Sequence, residues 1–278
     1  MRLDPETIHR RIATLLSQRR TFVIATIVET KGSVPQIAGS RMIIHADASF
    51  EFTIGGGSFE AEVIQDALAV FAADSSQSRE YRLTKPDLGM YCQGVVKIFF
   101  EKQTPRPQLL IFGGGHVGQA LSRVASATDL FSVIVVDDRQ EYANIKKHPD
   151  ADAVILTDRE FTMNIPLVDD DTYIIIVTRC HATDKLLVKK YIDAGGAYIG
   201  LIGSRPKIKQ FAKELETEGV PAKSFENIHA PIGIQIGGKD PAEIAISILA
   251  EVIQAKNAKR RSESSKLKSV TIQATGRD

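Results

Sequence analysis

The feature that most constrains this sequence is a glycine-rich motif that follows an apolar strand and opens a helix. Residues 113–118 read Gly-Gly-Gly-His-Val-Gly, a G-x-G-x-x-G pattern directly after the apolar run Leu109–Phe112. In this pattern Gly113 allows a tight turn, Gly115 lets a pyrophosphate approach the backbone, and Gly118 lets helix and strand pack closely. The N-terminus of such a helix offers backbone N–H groups to an anion. The motif predicts a Rossmann-type unit.

The rest of the C-terminal half repeats the same rhythm of strand and helix. Short apolar runs predict strands at 133–136, 153–156, 173–177 and 197–202, with helical patterns between them. Asp240, Pro241 and Glu243 form a capping set before a final helix, Ile244–Ala255. Alternating strands and helices are typical of a parallel sheet. The predicted fold is therefore α/β, with a doubly wound parallel sheet in this half.

The N-terminal half has a different organisation. A helix that begins at Pro5 precedes the strand Phe22–Val28, whose nearly continuous apolar run indicates burial on both faces. A second glycine loop, Ile54–Ser58, leads into another helix, and Val95–Phe100 is a last strand. These elements predict a smaller α+β domain. The predicted organisation is an N-terminal domain at 1–103, a Pro-containing linker at 104–108, a Rossmann-type domain at 109–255 and a mobile basic tail at 256–278.

Asp137 lies at the end of the second strand of the Rossmann-type half, nineteen residues after Gly118. A carboxylate at this place accepts hydrogen bonds from a ribose 2′-hydroxyl, which favours NAD over NADP, while the nearby Arg139 leaves a 2′-phosphate open. His116, inside the glycine motif, faces solvent or ligand. The alternative is that Gly113, Gly115 and Gly118 serve only packing, or that the fold binds another nucleotide, since a fold does not fix a function.

The N-terminal glycine loop has related chemistry. Gly55, Gly56 and Gly57 expose backbone N–H groups, Ser58 follows them, and the helix adds its dipole. The loop therefore suits an anionic group such as a phosphate. The alternative is a plain glycine turn in which Ser58 is an N-cap.

Two cysteines, Cys92 and Cys180, are far apart in the sequence and form neither a disulfide framework nor a zinc motif. Cys92 lies among glycines, where a thiol is either an accessible ligand for a soft metal or a small buried hydrophobic residue. Cys180 and His181 follow a strand at the ligand-binding edge of the sheet. His181 and Asp184 form either an acid–base pair or the start of a helix.

Charge and hydropathy exclude two classes of partner. The chain of 278 residues carries 35 Lys and Arg against 34 Asp and Glu, so no global field attracts nucleic acid. No apolar stretch reaches the 18 or so residues that a membrane span needs, and the N-terminus has no apolar signal region. We expect a cytoplasmic protein in a reducing compartment, with no nucleic-acid or membrane partner.

Taken together, the motifs resemble the xanthine dehydrogenase accessory family, of the XdhC/CoxI type. The resemblance covers nearly the whole chain except the tail, in the same order and spacing. The matching segments are Gly32–Pro35, Gly39–Met42, Ile54–Glu60, Leu88–Cys92, Phe112–Gly118, Val136–Arg139, Tyr198–Arg205, Ile228–Gly233 and Pro241–Ala245.

The resemblance implies a non-catalytic maturation factor for molybdenum hydroxylases. Such a protein binds the molybdenum cofactor, shelters it while a cysteine desulfurase supplies sulfur to the metal, and passes it to the apo-hydroxylase. It also implies a binding site between the two domains and is compatible with a homodimer. The implied cofactor-binding residues are Gly55, Gly56, Gly57, Ser58 and Glu60 at the anionic end, Cys92 at the metal, and Gly113, Gly115, His116, Gly118 and Asp137 at a nucleotide.

The chain departs from the family pattern at two positions. Ser58 stands where the family commonly has cysteine, and Gln93 stands where it commonly has glycine. Because a serine oxygen is a hard donor and suits a soft metal site poorly, Cys92 is the expected metal ligand. The rival hypothesis is an NAD(P)-dependent oxidoreductase with His181 or His116 as the acid–base group.

Overall fold

The computed structural model describes residues 5–72, 76–84 and 94–275. The chain divides into two units: unit 1 comprises Met1–Pro105 with Ser264–Asp278, and unit 2 comprises Arg106–Glu263. Each unit is described below by itself.

Unit 1 is an antiparallel sheet with helices against it. In its described residues the strands lie in the order β3-β2-β1-β5-β4, and every neighbouring pair is antiparallel. Its elements are α1 (Pro5–Ser17), β1 (Phe22–Lys31), β2 (Arg41–Ile44), β3 (Phe50–Glu51), α2 (Gly57–Ala72), β4 (Gln77–Arg82) and β5 (Val95–Gln103).

The apolar run of β1 is explained by burial on both faces of the sheet. Val23, Ala25 and Ile27 pack in a cluster with the buried face of α2, which includes Phe59. The alternate residues of β1 pack with α1 in a second cluster that contains Ile8. Successive side chains of a strand point to opposite faces, so a strand covered twice is apolar throughout.

Unit 2 is a parallel sheet in the described residues, with strand order β11-β10-β9-β6-β7-β8. Numbered from β6, this is the 6-5-4-1-2-3 order of the Rossmann fold. The fold-class prediction is therefore confirmed. Its elements are β6 (Gln108–Phe112), α3 (His116–Ser126), β7 (Ser132–Asp137), β8 (Ala153–Leu156), β9 (Thr172–Ile176), α4 (His181–Tyr191), β10 (Tyr198–Leu201), α5 (Arg205–Thr217), a 3₁₀-helix (Ala222–Asn227), β11 (Ile228–His229) and α6 (Pro241–Thr275), of which the residues up to Glu263 belong to unit 2.

Helices cover both faces of this sheet. Leu109 and Ile111 of β6 pack in a cluster with α3 and α6, which contributes Ile248. Leu110 and Phe112 point to the other face and pack in a cluster with α4 and α5. β6 thus lies at the centre of the sheet, and all five of its residues are buried.

The structure contains elements that the sequence-based prediction lacks, among them the 3₁₀-helix, β11 and β4, and it extends α6. β4 has no counterpart in that prediction, because its sequence Gln-Ser-Arg-Glu-Tyr-Arg is almost entirely polar. Among the strands that the structure describes, it pairs only with β5, at an edge of the sheet. α6 begins at the predicted place, where the Glu243 carboxylate accepts N–H bonds from Lys239 and Asp240 at 3.0 and 3.1 Å. It then continues past Ala255 to Thr275.

None of the helices that the structure describes combines the length and apolar character that a membrane crossing requires.

Candidate functional site

The glycine motif of unit 2 lies at the carboxyl edge of the parallel sheet, between β6 and β9. The strand order reverses between these two strands, and ligands of doubly wound sheets bind at such a switch point. Gly113 follows β6 with a φ of 112°, and a Cβ there would lie 2.5 Å from the carbonyl oxygen of Val177, which follows β9. The backbone therefore turns between the two strands in a space that excludes a side chain.

The other two glycines of the motif have separate geometric roles. A Cβ on Gly118 would lie 1.9 Å from the Gly113 carbonyl oxygen, so α3 packs against the turn through backbone contact. A Cβ on Gly115 would meet nothing within 4 Å, because this residue faces open space at the start of α3. The first turn of a helix presents N–H groups without intrahelical partners. The loop thus leaves room for an anion beside those donors.

Asp137 is buried at the end of β7, and its carboxylate receives four N–H bonds from the chain. Oδ2 accepts from the Gly114 backbone at 2.8 Å and from Arg139 Nη2 at 2.9 Å. Oδ1 accepts from the Arg139 backbone at 3.0 Å and from Arg139 Nε at 2.8 Å. Burial acts to raise the pKa of Asp137, but these bonds from Arg139 and Gly114 outweigh it and lower the pKa. The carboxylate ties the glycine loop to β7.

The Arg139 side chain is held in place from two sides. Its guanidinium bonds to Asp137, and its Cζ lies 3.8 Å from the centre of the Tyr142 ring. Lys147 Nζ lies 4.1 Å from the same ring centre. The backbone of Tyr142 approaches Gly114 so closely that a Cβ on that glycine would lie 2.8 Å from the Tyr142 carbonyl oxygen. The sequence pattern points to Arg139 but not to Tyr142, because no motif marks the tyrosine.

The histidines of the rival hypothesis lie in different settings. His116 is exposed in the first turn of α3. His181 is also exposed, and its Nε2 lies 3.1 Å from Glu214 of α5. Asp184 is partly buried; burial raises its pKa to about 6, and it bonds to the Thr178 hydroxyl at 2.5 Å. His181 therefore pairs with Glu214, whereas Asp184, in the first turn of α4, accepts a hydrogen bond from Thr178 in the loop before the helix.

Cys180 is exposed at the N-cap of α4, and its Sγ lies 3.0 Å from the Thr183 hydroxyl. Hydrogen bonds from that hydroxyl and from the backbone of Thr183 and Ala182 lower the pKa of the thiol. The sequence predicts the position of Cys180 at the sheet edge. It does not predict the lowered pKa of the thiol, because this depends on hydrogen bonds at the start of α4.

The glycine loop of unit 1 wraps around a buried carboxylate. Glu60 accepts a bond from the Thr53 hydroxyl, from the Ile54 backbone at 2.8 Å and from the Gly55 backbone at 3.1 Å. Burial acts to raise the pKa of Glu60, but bonds from Thr53 and from the loop, including Gly56, outweigh it and lower the pKa. Glu60 is 8% exposed, so its side chain faces the inside of the loop.

The outer side of the same loop is open. Gly55, Gly56 and Gly57 have φ values of 142°, 80° and 68°, and a Cβ on Gly56 or Gly57 would meet nothing within 4 Å. Gly57 and Ser58 are exposed at the start of α2. The structure therefore places Gly56, Gly57 and Ser58 on the accessible side of the loop, whereas Glu60 lies beneath it.

We expect the substitution Glu60→Gln to destabilise unit 1 by about 1–3 kcal/mol, because the loop N–H groups lose a charged acceptor and one faces an amide NH₂. Glu62→Gln is the matched control, since Glu62 is exposed on the same helix; its expected effect is within about 0.5 kcal/mol. Urea unfolding of the two variants measures the difference. Equal stabilities would show that the Glu60 contacts contribute nothing.

Cys92 lies outside the described residues. Among the described residues, no group of three or more His, Cys, Asp or Glu side chains is arranged to hold a metal ion. A cleft of about 550 Å³ lies in unit 1 between α1 and the end of β3, lined in part by Arg10, Arg11, Glu51 and Phe52. None of the predicted site residues that the structure describes lines this cleft.

Comparisons with known proteins identify both halves of the chain. Residues 109–252 match the family model described as the XdhC Rossmann domain, and residues 15–82 match that of the XdhC and CoxI family. The chain is 32% identical over 250 residues to the uncharacterized protein YqeB of Escherichia coli K12, covering 88% of this chain and 45% of YqeB. It is 30% identical over 159 residues to a probable xanthine dehydrogenase subunit of Bacillus subtilis, covering 57% and 46% of the two chains. The chain thus spans about half the length of these two relatives.

A third relative aligns over nearly its full length. The molybdenum cofactor insertion chaperone PaoD of Escherichia coli K12 is 23% identical over 286 residues, covering 91% of this chain and 89% of PaoD. A crystal structure described as a xanthine dehydrogenase from Bacillus halodurans covers 90% of this chain and 95% of its own, with a TM-score of 0.50 and 19% identity, and supports the fold alone. The two family models and their order along the sequence show that the chain belongs to the XdhC and CoxI family.

Proposed function

We propose that this protein is a maturation factor that binds the molybdenum cofactor and delivers it, after sulfuration by a cysteine desulfurase, to a xanthine dehydrogenase-type hydroxylase. The observation that carries the proposal is the alignment with PaoD over 91% of the chain, because PaoD is named a molybdenum cofactor insertion chaperone. The Bacillus subtilis relative, named for xanthine dehydrogenase, supports the same class of client.

The geometry of unit 1 supports an anion at its glycine loop. The open space over Gly56 and Gly57 and the exposed start of α2 leave room for a phosphate such as that of a pterin cofactor. In this proposal Gly56, Gly57 and Ser58 form the phosphate cradle, and Glu60, which holds the Ile54 and Gly55 amides, keeps the loop in shape from beneath. Cys92 supplies the thiolate for the metal, since soft donors suit a sulfur-bound molybdenum.

We further propose that unit 2 binds a nucleotide at Gly113, Gly115 and Gly118. The open face of Gly115, the close packing of Gly118 and the Rossmann strand order support this assignment. When bound, the nucleotide would place its phosphates against the N–H groups of α3, beside His116. Asp137 and Arg139 would lie at the ribose end, where β7 terminates.

The proposal predicts that protein purified from cells that make the molybdenum cofactor contains molybdenum and pterin in near-equal amounts. Cys92→Ser should lower the bound molybdenum at least roughly tenfold, because a hard hydroxyl replaces a soft thiolate. Cys180→Ser is the matched control, since it removes the other cysteine, and its metal content should match that of the wild type. Elemental analysis and pterin fluorescence measure both.

Delivery is tested separately by adding the loaded protein to an apo-hydroxylase and measuring hydroxylase activity. Activity that rises in proportion to the loaded protein supports delivery. Purified protein with neither molybdenum nor pterin, together with normal hydroxylase maturation in cells that lack the protein, would refute the proposal.

A further inference from the structure

The Asp137 carboxylate has no acceptor position left for a ribose. A carboxylate accepts about four hydrogen bonds, and Asp137 already receives four from Gly114 and Arg139. In NAD-binding Rossmann folds the acidic residue at this place accepts from the ribose hydroxyls. A ribose hydroxyl can donate to Asp137 here only if the Arg139 side chain moves away from the carboxylate. The group presented at the ribose end is therefore the outer edge of Arg139.

Arg139 retains donors after it has bonded to Asp137. The bonds to the carboxylate use Nε–H and one N–H of Nη2, which leaves three of the five guanidinium N–H groups. The guanidinium is fixed by stacking on Tyr142, and 23% of the side chain is exposed. A fixed guanidinium edge with several donors matches the oxygens of a phosphate group.

The neighbouring charges are compatible with an anion at this place. Asp138 is the nearest carboxylate besides Asp137, and its oxygens lie 3.7 Å from Arg139 Nε and 3.6 Å from Arg179 Nη2. Lys147 adds a further cation beside the Tyr142 ring, with the exposed Glu141 at 3.6 Å. Each nearby carboxylate is thus already faced by a cation, so the guanidinium edge is not surrounded by uncompensated negative charge.

We propose that unit 2 selects an adenine nucleotide with a 2′-phosphate, of the NADP type, and that Arg139 with Lys147 determines this selectivity. The inference rests on the proposed nucleotide site of unit 2. Gly113, Gly115 and Gly118 accommodate the 5′-phosphates, and Arg139 binds the 2′-phosphate at the end of β7. Tyr142 keeps the guanidinium in that position.

Two probes isolate the 2′-phosphate: adenosine 2′,5′-bisphosphate and 5′-AMP differ only by that group. Calorimetric titration of the full chain should give a dissociation constant at least about tenfold lower for the bisphosphate, because charge-assisted hydrogen bonds to a phosphate contribute that much. NADP⁺ and NAD⁺, titrated in the same way, should show the same order.

The substitution Arg139→Ala should abolish or reverse this preference. It removes the donors for the 2′-phosphate and also uncovers Asp137 as an acceptor for ribose hydroxyls, so binding of 5′-AMP should become tighter as that of the bisphosphate weakens. A merely structural role of Arg139 would weaken both probes together. Lys147→Ala leaves the Asp137 contacts intact and should reduce the preference about threefold. Lys146→Ala, an exposed neighbour of equal charge, should leave it unchanged.

The titrations distinguish the 2′-phosphate selectivity from the nucleotide site of unit 2 on which it depends. Equal or tighter binding of 5′-AMP by the wild type overturns the 2′-phosphate selectivity and leaves the nucleotide site standing. Failure of all four probes to bind at millimolar concentration overturns both. If Arg139→Ala does not fold, an unchanged preference in Lys147→Ala overturns the inference, and a reduced preference in that variant but not in Lys146→Ala supports it.

Discussion

The substitution Gly118→Ala is expected to destabilise unit 2 by at least about 3 kcal/mol, since its methyl group would lie 1.9 Å from the Gly113 carbonyl oxygen. Both positions are backbone, so the clash cannot be relieved by rotating a side chain. The gain of up to about 1 kcal/mol from helix propensity does not offset it. For a unit of this size the melting temperature should fall by roughly 6–12 °C, measured by circular dichroism.

Gly115→Ala is the matched control for this substitution. It lies in the same motif, has a φ of −70° and would place its methyl group where no atom lies within 4 Å. Its stability should change by no more than about 0.5 kcal/mol, whereas nucleotide binding should weaken because the methyl group occupies the proposed phosphate position. If both variants melt at the same temperature, the close packing at Gly118 does not constrain the fold.

The substitution Asp137→Asn is expected to have the second largest effect, about 2–4 kcal/mol of lost stability. An asparagine leaves the Arg139 guanidinium without its charged partner, and removal of one member of a buried ion pair is strongly destabilising. The partial exposure of Arg139 places the effect below that of a fully buried pair. Asp138→Asn is the control, because its ionic contacts are 3.6 Å or longer, and it should cost less than about 1 kcal/mol.

The pH dependence gives an independent readout of the same contact. The pKa of Asp137 is lowered below its ordinary value of 3.8, so its ionised form stabilises the fold above that pH. This contribution is lost as the pH falls through the lowered pKa. The difference in unfolding free energy between wild type and Asp137→Asn should therefore be constant near neutral pH and shrink below pH 3.8. A difference that stays constant in acid would exclude the ion pair as its cause.

The strands of unit 2 are predictable because they are buried on both faces. β6 and β9 are continuous apolar runs that contrast with the glycine and polar segments around them. β4 carries no such signal, because an edge strand with one paired side tolerates polar residues. The continuation of α6 past Ala255 escapes prediction since the apolar periodicity fades there, and helix propensity without an apolar face leaves little pattern in a sequence. None of residues 256–262 is buried.

The candidate sites are predictable in position but not in bonding. The sequence places Asp137 at the end of β7, beside the glycine motif, as the structure does. It does not indicate that Arg139 turns back onto that carboxylate, because this depends on the stacking partner Tyr142. Likewise, the family resemblance implies Glu60 at the anionic end of the loop but does not indicate that its carboxylate lies beneath the loop. The directions of the side chains decide which hydrogen-bond donors and acceptors are already used. A sequence pattern does not specify these directions.

Both glycine loops share an arrangement in which a buried carboxylate of the chain itself holds loop amides, Glu60 in unit 1 and Asp137 in unit 2. Both loops are therefore held in place by the chain itself, and little conformational entropy is lost when a ligand binds. The same arrangement limits the affinity for a ligand, because the loop amides bonded to Glu60 and Asp137 do not donate to the ligand. For a protein that is proposed to deliver a bound cofactor to another enzyme, fast release of the cofactor is more useful than maximal affinity.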